Sequence, residues 1–328
     1  MADLLAVRGL KTHIKTSMGL VKAVDGVSFD VKPGETVALV GESGCGKSMT
    51  ALSIMRLIPA PQAETVAGEI RFDGKNLLGL DGEAMRRVRG AEIAMIFQEP
   101  MTSLNPVLTI ERQLTETLEA HGAASRRAAR ERALELLRLV GIPDPAERLK
   151  QYPHQFSGGM RQRVMIAIAL SCRPKLILAD EPTTALDVTI QAQLLELMRG
   201  LSREFGVALV MITHNLGVVA RYADRVNVMY AGKIVESGAA ADIYRDPRHP
   251  YTIGLLHSVP RLDQPRRTRL EPIEGQPPDL WALPPGCSFR PRCRYAIEKC
   301  AREVPALRSA ASGHDAACFV AEQTNNVE

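Results

Sequence analysis

The segment Gly41-Glu42-Ser43-Gly44-Cys45-Gly46-Lys47-Ser48, followed by Met49, has the spacing of a loop that cradles a triphosphate. Its glycines let the backbone curl and turn successive N–H groups inward. Lys47 is placed to reach the β- and γ-phosphates, and the Ser48 hydroxyl to hold Mg²⁺. Such a loop works only between a strand and a helix. Residues 36–40 are a short apolar run that reads as a buried strand, and residues 48–55 carry apolar side chains at helical spacing.

Further groups suit the same chemistry. Asp180 follows four apolar residues, as a carboxylate at a strand end that holds Mg²⁺ does. Glu181 is next to it and can polarise an attacking water as a general base. Gln98, at another strand end, offers an amide to Mg²⁺ or to that water. His214 ends a third strand, where it can contact the γ-phosphate or orient Glu181. Taken singly, Gln98 and His214 would carry little. Ser157-Gly158-Gly159-Met160 opens an apolar helix and makes a second anion site. One chain does not need two phosphate loops for one nucleotide. The expectation is a dimer in which this loop of one subunit closes on the ATP of the other.

The elements that must position these groups are legible as alternating strands and helices. Residues 4–40 read as antiparallel strands, with turns at Asp25-Gly26 and Lys32-Pro33-Gly34. Strands are also expected at 68–74, 91–97, 175–181 and 207–212. Helices are expected at 110–121, 126–140 and 188–205. This pattern predicts an α/β fold with a parallel sheet wrapped on both sides, and ligands at the carboxyl ends of its strands. Residues 105–160 read as a helical insert. The arginines at 126, 127, 130, 132 and 138 alternate with glutamates and no aromatics interleave there, so the reading is a solvated face and not a nucleic-acid site. After about residue 240 the pattern weakens, and residues 259–286 with their seven prolines read as an irregular appendage outside the main sheet.

Bulk properties bound the class. The chain has 328 residues, 45% hydrophobic and 24% charged, with a net charge of +4. No apolar run approaches the roughly 20 residues of a membrane span, and no signal peptide is visible. A cytoplasmic location is expected, where the six cysteines are thiols or metal ligands. Cys287, Cys293, Cys300 and Cys318 crowd the last part of the chain, separated by five, six and seventeen residues. That spacing is compatible with zinc, an iron–sulfur cluster or four free thiols. Cys45 lies at a helix N-terminus, where a thiol pKa can fall, so its alkylation is expected to block nucleotide turnover and MgATP to protect it. Cys172 reads as core.

In chain order these segments resemble the ATPases of ABC transporters. Residues 41–48 are similar to Walker A, Gln98 to the Q-loop, residues 156–160 to the signature, Leu176–Asp180 with Glu181 to Walker B, Ala185-Leu186-Asp187 to the D-loop and His214 to the switch histidine. The match spans residues 4–240. It implies a P-loop ABC ATPase core, with a RecA-like parallel sheet plus an antiparallel β subdomain. It also implies a helical signature subdomain and a small Cys-containing extension over 241–328. Phe97-Gln98-Glu99-Pro100-Met101-Thr102-Ser103-Leu104-Asn105-Pro106, residues 158–167, His249-Pro250-Tyr251-Thr252 and residues 286–293 are similar to the D-type ATPases of dipeptide/oligopeptide importers.

That resemblance implies ATP and Mg²⁺ as ligands and an F-type ATPase as the other half of the ATP sandwich. It further implies two transmembrane permease subunits, an external substrate-binding protein, no nucleic acid, and a peripheral place on the cytoplasmic face of the inner membrane. For the four cysteines it implies a [4Fe-4S] cluster, with Zn²⁺ as the alternative. The rival readings are the same machine with nickel, glutathione or opine cargo, or a soluble ABC ATPase acting on nucleic acid or ribosomes. Three positions depart from the family pattern: Met160 stands where Gln is usual, Ile14 (beside His13) where an aromatic residue stacks on adenine, and Asn215 where many relatives have Asp.

Overall fold

The computed structural model describes residues 2–99, 103–121, 125–184, 186–258 and 272–323. In chain order its strands are β1 (Leu5–Thr16), β2 (Gly19–Val31), β3 (Thr36–Val40), β4 (Ala63–Phe72), β5 (Lys75–Asn76), β6 (Ile93–Ile96), β7 (Leu176–Asp180), β8 (Ala208–Thr213), β9 (Arg225–Tyr230), β10 (Lys233–Ala239), β11 (Arg308–Ala311) and β12 (His314–Ala316). The chain divides into two compact units. One comprises Met1–Val31, Thr36–Leu78 and Thr213–Glu328, the other Lys32–Glu35 and Gly79–Ile212.

In the first unit β1 pairs antiparallel with β2 and with β4. Alternation puts Leu5 and Val7 on the core face, and the register slips between Val7 and Leu10, where Gly9 takes a positive φ. β3 pairs parallel with β9, and β10 returns antiparallel on β9. Every residue of β3 is buried, as a strand covered on both faces requires. Beside β9 lies an aromatic core. The Tyr230 ring is 4.6 Å from Tyr251 and 5.2 Å, edge-on, from Phe289.

Of the irregular appendage expected at 259–286, residues 272–286 form neither helix nor strand and 259–271 lie outside the described residues; beyond it the chain returns to the sheet. β12 pairs antiparallel with β10, Glu236 opposite Ala316, and β11 pairs with β12, so the tail extends the sheet. The sequence did not betray these strands because they are short and mostly polar. Backbone hydrogen bonding and the buried His314 hold them, not an apolar stripe.

In the second unit β6, β7 and β8 run parallel in that order. The helical part contains Ile110–Ala120 and Arg126–Leu139, which bury Ile110, Leu114 and Leu118, and Ala129, Ala133, Leu136 and Leu137. Their N-caps are Thr109 and Ser125. The arginines of this region pair with glutamates, Arg127 with Glu131 at 3.0 Å and Arg130 with Glu111 at 3.2 Å, on a wet surface. Cys172, expected in the core, is only half-buried and lines an open cavity with His121 and Arg132. No described helix is long and apolar enough to cross a membrane.

Candidate functional site

The phosphate loop leaves β3 and enters the helix Lys47–Ile54 in the first unit, as its spacing required. Two glycines are sterically fixed. A β-carbon on Gly41 (φ +152°) would lie 2.3 Å from the Met229 carbonyl oxygen, and one on Gly46 (φ +107°) 2.2 Å from that of Ala23. Lys47 is 4% exposed. Its Nζ donates to the carbonyl oxygens of Gly41 at 2.8 Å and Glu42 at 2.9 Å, so the loop's own backbone holds the ammonium inside the curl.

Glu42 puts a negative charge in an anion-binding loop, and the C-terminal extension answers it. Arg292 donates from both terminal nitrogens to the two Glu42 oxygens, at 2.7 and 2.9 Å. The Glu42 backbone N–H donates to the Tyr251 hydroxyl at 2.8 Å. Burial holds that phenol well above its ordinary range. Sequence reasoning missed both partners. An Arg among several and a Tyr in a weakly patterned region carry no local signal of a contact some 200 residues away.

Cys45 lies in this loop but not as expected. It is buried, and burial pushes its thiol up despite the neighbouring Lys47. Desolvation of the thiolate outweighs both the cation and the helix N-terminus. His214 is exposed and follows β8. Next to it, Asn215 caps the helix Leu216–Tyr222, its side-chain oxygen accepting from the Val218 N–H at 3.4 Å. Asp serves the same purpose, so for the cap the departure at 215 is neutral.

In the second unit Asp180 ends β7 and is buried. Glu181 follows at φ +46° and is 8% exposed. A carboxylate in left-handed backbone is strained, and here it is held from several sides. Its N–H donates to the Ile212 carbonyl at 2.9 Å, while its Oε2 accepts from Gln98 Nε2 at 3.1 Å and from the Thr184 hydroxyl at 2.9 Å. The structure thus brings Gln98 and Glu181 together.

It also joins the signature segment to the D-loop segment. Ser157 caps the helix Gly158–Leu170, accepting from the Met160 N–H at 3.3 Å. Asp187 caps Val188–Phe205, accepting from the Ile190 N–H at 2.9 Å. A β-carbon on Gly159 would lie 2.9 Å from Ile190, and one on Gly158 3.4 Å from Leu186. A side chain at 159 would push Ile190 aside, whereas one at 158 would make an ordinary contact with Leu186. Ala185, and residues 100–102 of the Gln98 segment, lie outside the described residues.

The tail cysteines correct the sequence expectation. Cys287, Cys293, Cys300 and Cys318 are free thiols lining one cavity of about 10 Å³ with His249, Phe289 and Phe319. Among the described residues no group of three or more His, Cys, Asp or Glu is arranged to hold a metal ion. The expected [4Fe-4S] cluster and its zinc alternative do not fit this arrangement. Burial pushes Cys293 and Cys318 up to about 11 and Cys287 upward as well. The aromatic core and the β10–β12 pairing hold the tail instead.

Two family models match. Residues 24–184 match "ABC transporter" and residues 235–300 match "Oligopeptide/dipeptide transporter, C-terminal region". Among solved structures, the dimeric post-hydrolysis ATP-binding cassette MJ0796 bound to ADP and Pi is similar, with 29% identity and a TM-score of 0.65 over 72% of this chain and 98% of that one. A cassette named cbiO1 from Clostridium perfringens, part of the ABC transporter complex cbiONQ, is similar at 25% identity and a TM-score of 0.63, over 74% and 91% of the chains. The chain belongs to the ABC transporter family, in its group of dipeptide and oligopeptide transport ATP-binding proteins. It is 54% identical to the dipeptide transport ATP-binding protein DppD of Bacillus subtilis (strain 168), over 98% of this chain and 96% of that protein. To the oligopeptide transport ATP-binding protein AppD of the same organism it is 51% identical, over 98% of each.

Proposed function

We propose that this chain is the ATP-hydrolysing subunit of an importer for dipeptides or oligopeptides, bound peripherally to the cytoplasmic face of the inner membrane. The observation that carries the cargo class is the 54% identity to a dipeptide transport ATP-binding protein along nearly the whole of both chains, C-terminal extension included. In this reading residues 41–49 hold the triphosphate, with Lys47 against its outer phosphates. Ser48, Asp180 and Gln98 offer the hard oxygen donors that Mg²⁺ takes. Mg²⁺ supplies charge neutralisation at the phosphates when bound. Glu181 takes a proton from the attacking water, with Gln98 and Thr184 setting the direction of its carboxylate. His214 contacts the γ-phosphate. Ser157, Gly158, Gly159 and Met160, with Ala185, Leu186 and Asp187, act across the interface on the ATP of a second subunit.

The partners that complete this reading are an F-type ATPase subunit, two transmembrane permease subunits and an external substrate-binding protein. The domain division in this reading is a cassette over 1–240, with its helical part at 105–160, and an extension over 241–328. The test is ATP hydrolysis by the assembled complex in proteoliposomes. Binding protein loaded with a dipeptide is expected to raise phosphate release and drive peptide into the lumen. If neither changes while nickel or glutathione loading raises both, the cargo assignment fails. A chain that hydrolyses ATP only with DNA or RNA present would remove the transport reading.

A further inference from the structure

A cavity in the first unit extends past the phosphate loop. It has a volume of about 330 Å³ and is lined by Ser43, Gly44 and Cys45 on one side and by residues 277–281 of the C-terminal extension on another. Val21 of β2 and Tyr230 also line it. The volume falls near the lower end of the roughly 300–1,000 Å³ of small-molecule pockets, room for a purine ring. The largest side chain in its wall, Trp281, is 42% exposed. Isolated exposed apolar residues need no explanation, but an indole on the rim of a pocket continuous with an anion loop invites one.

Trp281 lies beside the β1–β2 hairpin. A β-carbon on Gly19, at the β1–β2 hairpin, would lie 3.8 Å from the Trp281 β-carbon. The segment leading to it is pinned by Arg292, whose Nε donates to the Glu274 carbonyl at 3.0 Å. The same guanidinium grips Glu42 in the loop. One side chain therefore ties the phosphate loop and the tryptophan-bearing segment to a common strut. On β1, by contrast, Ile14 is aliphatic and presents no π-face.

We propose that Trp281 is the platform on which the base of the bound nucleotide stacks. The adenine subsite is then contributed by the C-terminal extension instead of the β1 strand of the cassette. This rests on the reading that residues 41–48 hold the phosphates. The phosphates fix one end of the nucleotide at Ser43–Cys45, and the cavity leads from there to the indole.

Trp281 is the chain's single tryptophan, so its fluorescence reports this site alone. The full-length protein is titrated with ATP while binding is measured separately by calorimetry. Inorganic tripolyphosphate serves as the base-free probe. The expected result is saturable quenching by ATP with the calorimetric Kd, and tripolyphosphate binding without quenching. Trp281→Ala is expected to weaken ATP roughly 5- to 100-fold, the range of base–aromatic stacking, and Trp281→Phe much less. Tripolyphosphate affinity stays unchanged in both variants. ATP binding without any change in emission, together with undiminished affinity in Trp281→Ala, overturns the proposal. So does an equal loss of tripolyphosphate affinity, which would mark Trp281 as a structural prop. A wild-type chain that binds neither ATP nor tripolyphosphate would instead overturn the phosphate-loop reading beneath it.

Discussion

Arg292 and Glu42 are 250 residues apart in sequence and joined by two parallel hydrogen bonds of 2.7 and 2.9 Å. The arginine is 4% exposed, with its guanidinium also over the rings of Tyr230 and Phe289. The Glu42 hydrogen bonds hold it above its ordinary pKa, against the desolvation that opposes them. The pair couples the C-terminal extension to the loop that holds the triphosphate in the proposed reading. It also neutralises a carboxylate that would repel a triphosphate.

Arg292→Ala is therefore expected to weaken ATP binding by about 1–2 kcal/mol, roughly 5- to 30-fold in Kd, because Glu42 keeps its charge and loses its partner. Adding Glu42→Gln should return most of the loss, a coupling that a double-mutant cycle reads directly. Unchanged affinity in Arg292→Ala would mean that the pair does not shape the loop.

In the proposed mechanism turnover depends on Glu181. Glu181→Gln should lower phosphate release by the assembled complex about 10²- to 10⁴-fold while ATP affinity stays near wild type. Gln98→Ala removes one of the two side-chain hydrogen bonds that aim Glu181 and should give a smaller drop in the same rate, also without loss of binding. Equal rates in wild type and Glu181→Gln would exclude it as the base.

A buried polar cluster predicts acid sensitivity. Glu236 accepts from the backbone N–H groups of Arg248 and His249 and pairs with His314 at 2.7 Å. His249 caps the helix Pro250–His257, its Nδ1 accepting from the Tyr251 N–H at 3.0 Å. Burial holds His249 down at about 4, with Glu236 pulling weakly the other way. The folded chain keeps this imidazole neutral, whereas the unfolded chain protonates it below about 6.5. Its contribution is thus complete above pH 6.5 and drains as pH falls toward 4. The loss between pH 6.5 and 5 is about 2 kcal/mol. His249→Asn retains a cap and removes the titration. Urea unfolding at pH 7 and pH 5 should show a smaller acid loss in the variant, and parallel losses would rule His249 out as the source.

Cys45 should resist alkylation. Its thiol is buried and shifted up, so at pH 7 iodoacetamide should label it more slowly than a cysteine in an unfolded peptide. Once labelled, the loop should no longer bind ATP, because the added group fills the space around Gly41, whose own β-carbon would already meet Cys45 Sγ at 2.8 Å. Peptide-resolved mass spectrometry follows the labelling, and labelling faster than the free peptide would contradict the burial argument.

The sequence by itself determined the local devices. Glycines at 41 and 46, an apolar run ending in Asp180-Glu181, and Ser157 and Asp187 ahead of helical patterns each state their structure within a few residues, because turns, caps and strand periodicity are short-range physics. Tertiary structure alone decided which distant groups meet. Nothing near Arg292 marks it as the partner of Glu42, nothing near Trp281 places it in a cavity with Ser43, and β12 is too short to signal that it joins β10. Those contacts cross 80 to 250 residues and rest on long-range hydrogen bonding and packing, which no local pattern encodes. The tail cysteines show the converse: four thiols clustered in sequence suggested a metal centre, and the fold holds them, Cys300 buried and the others half-buried, as free thiols around one small cavity.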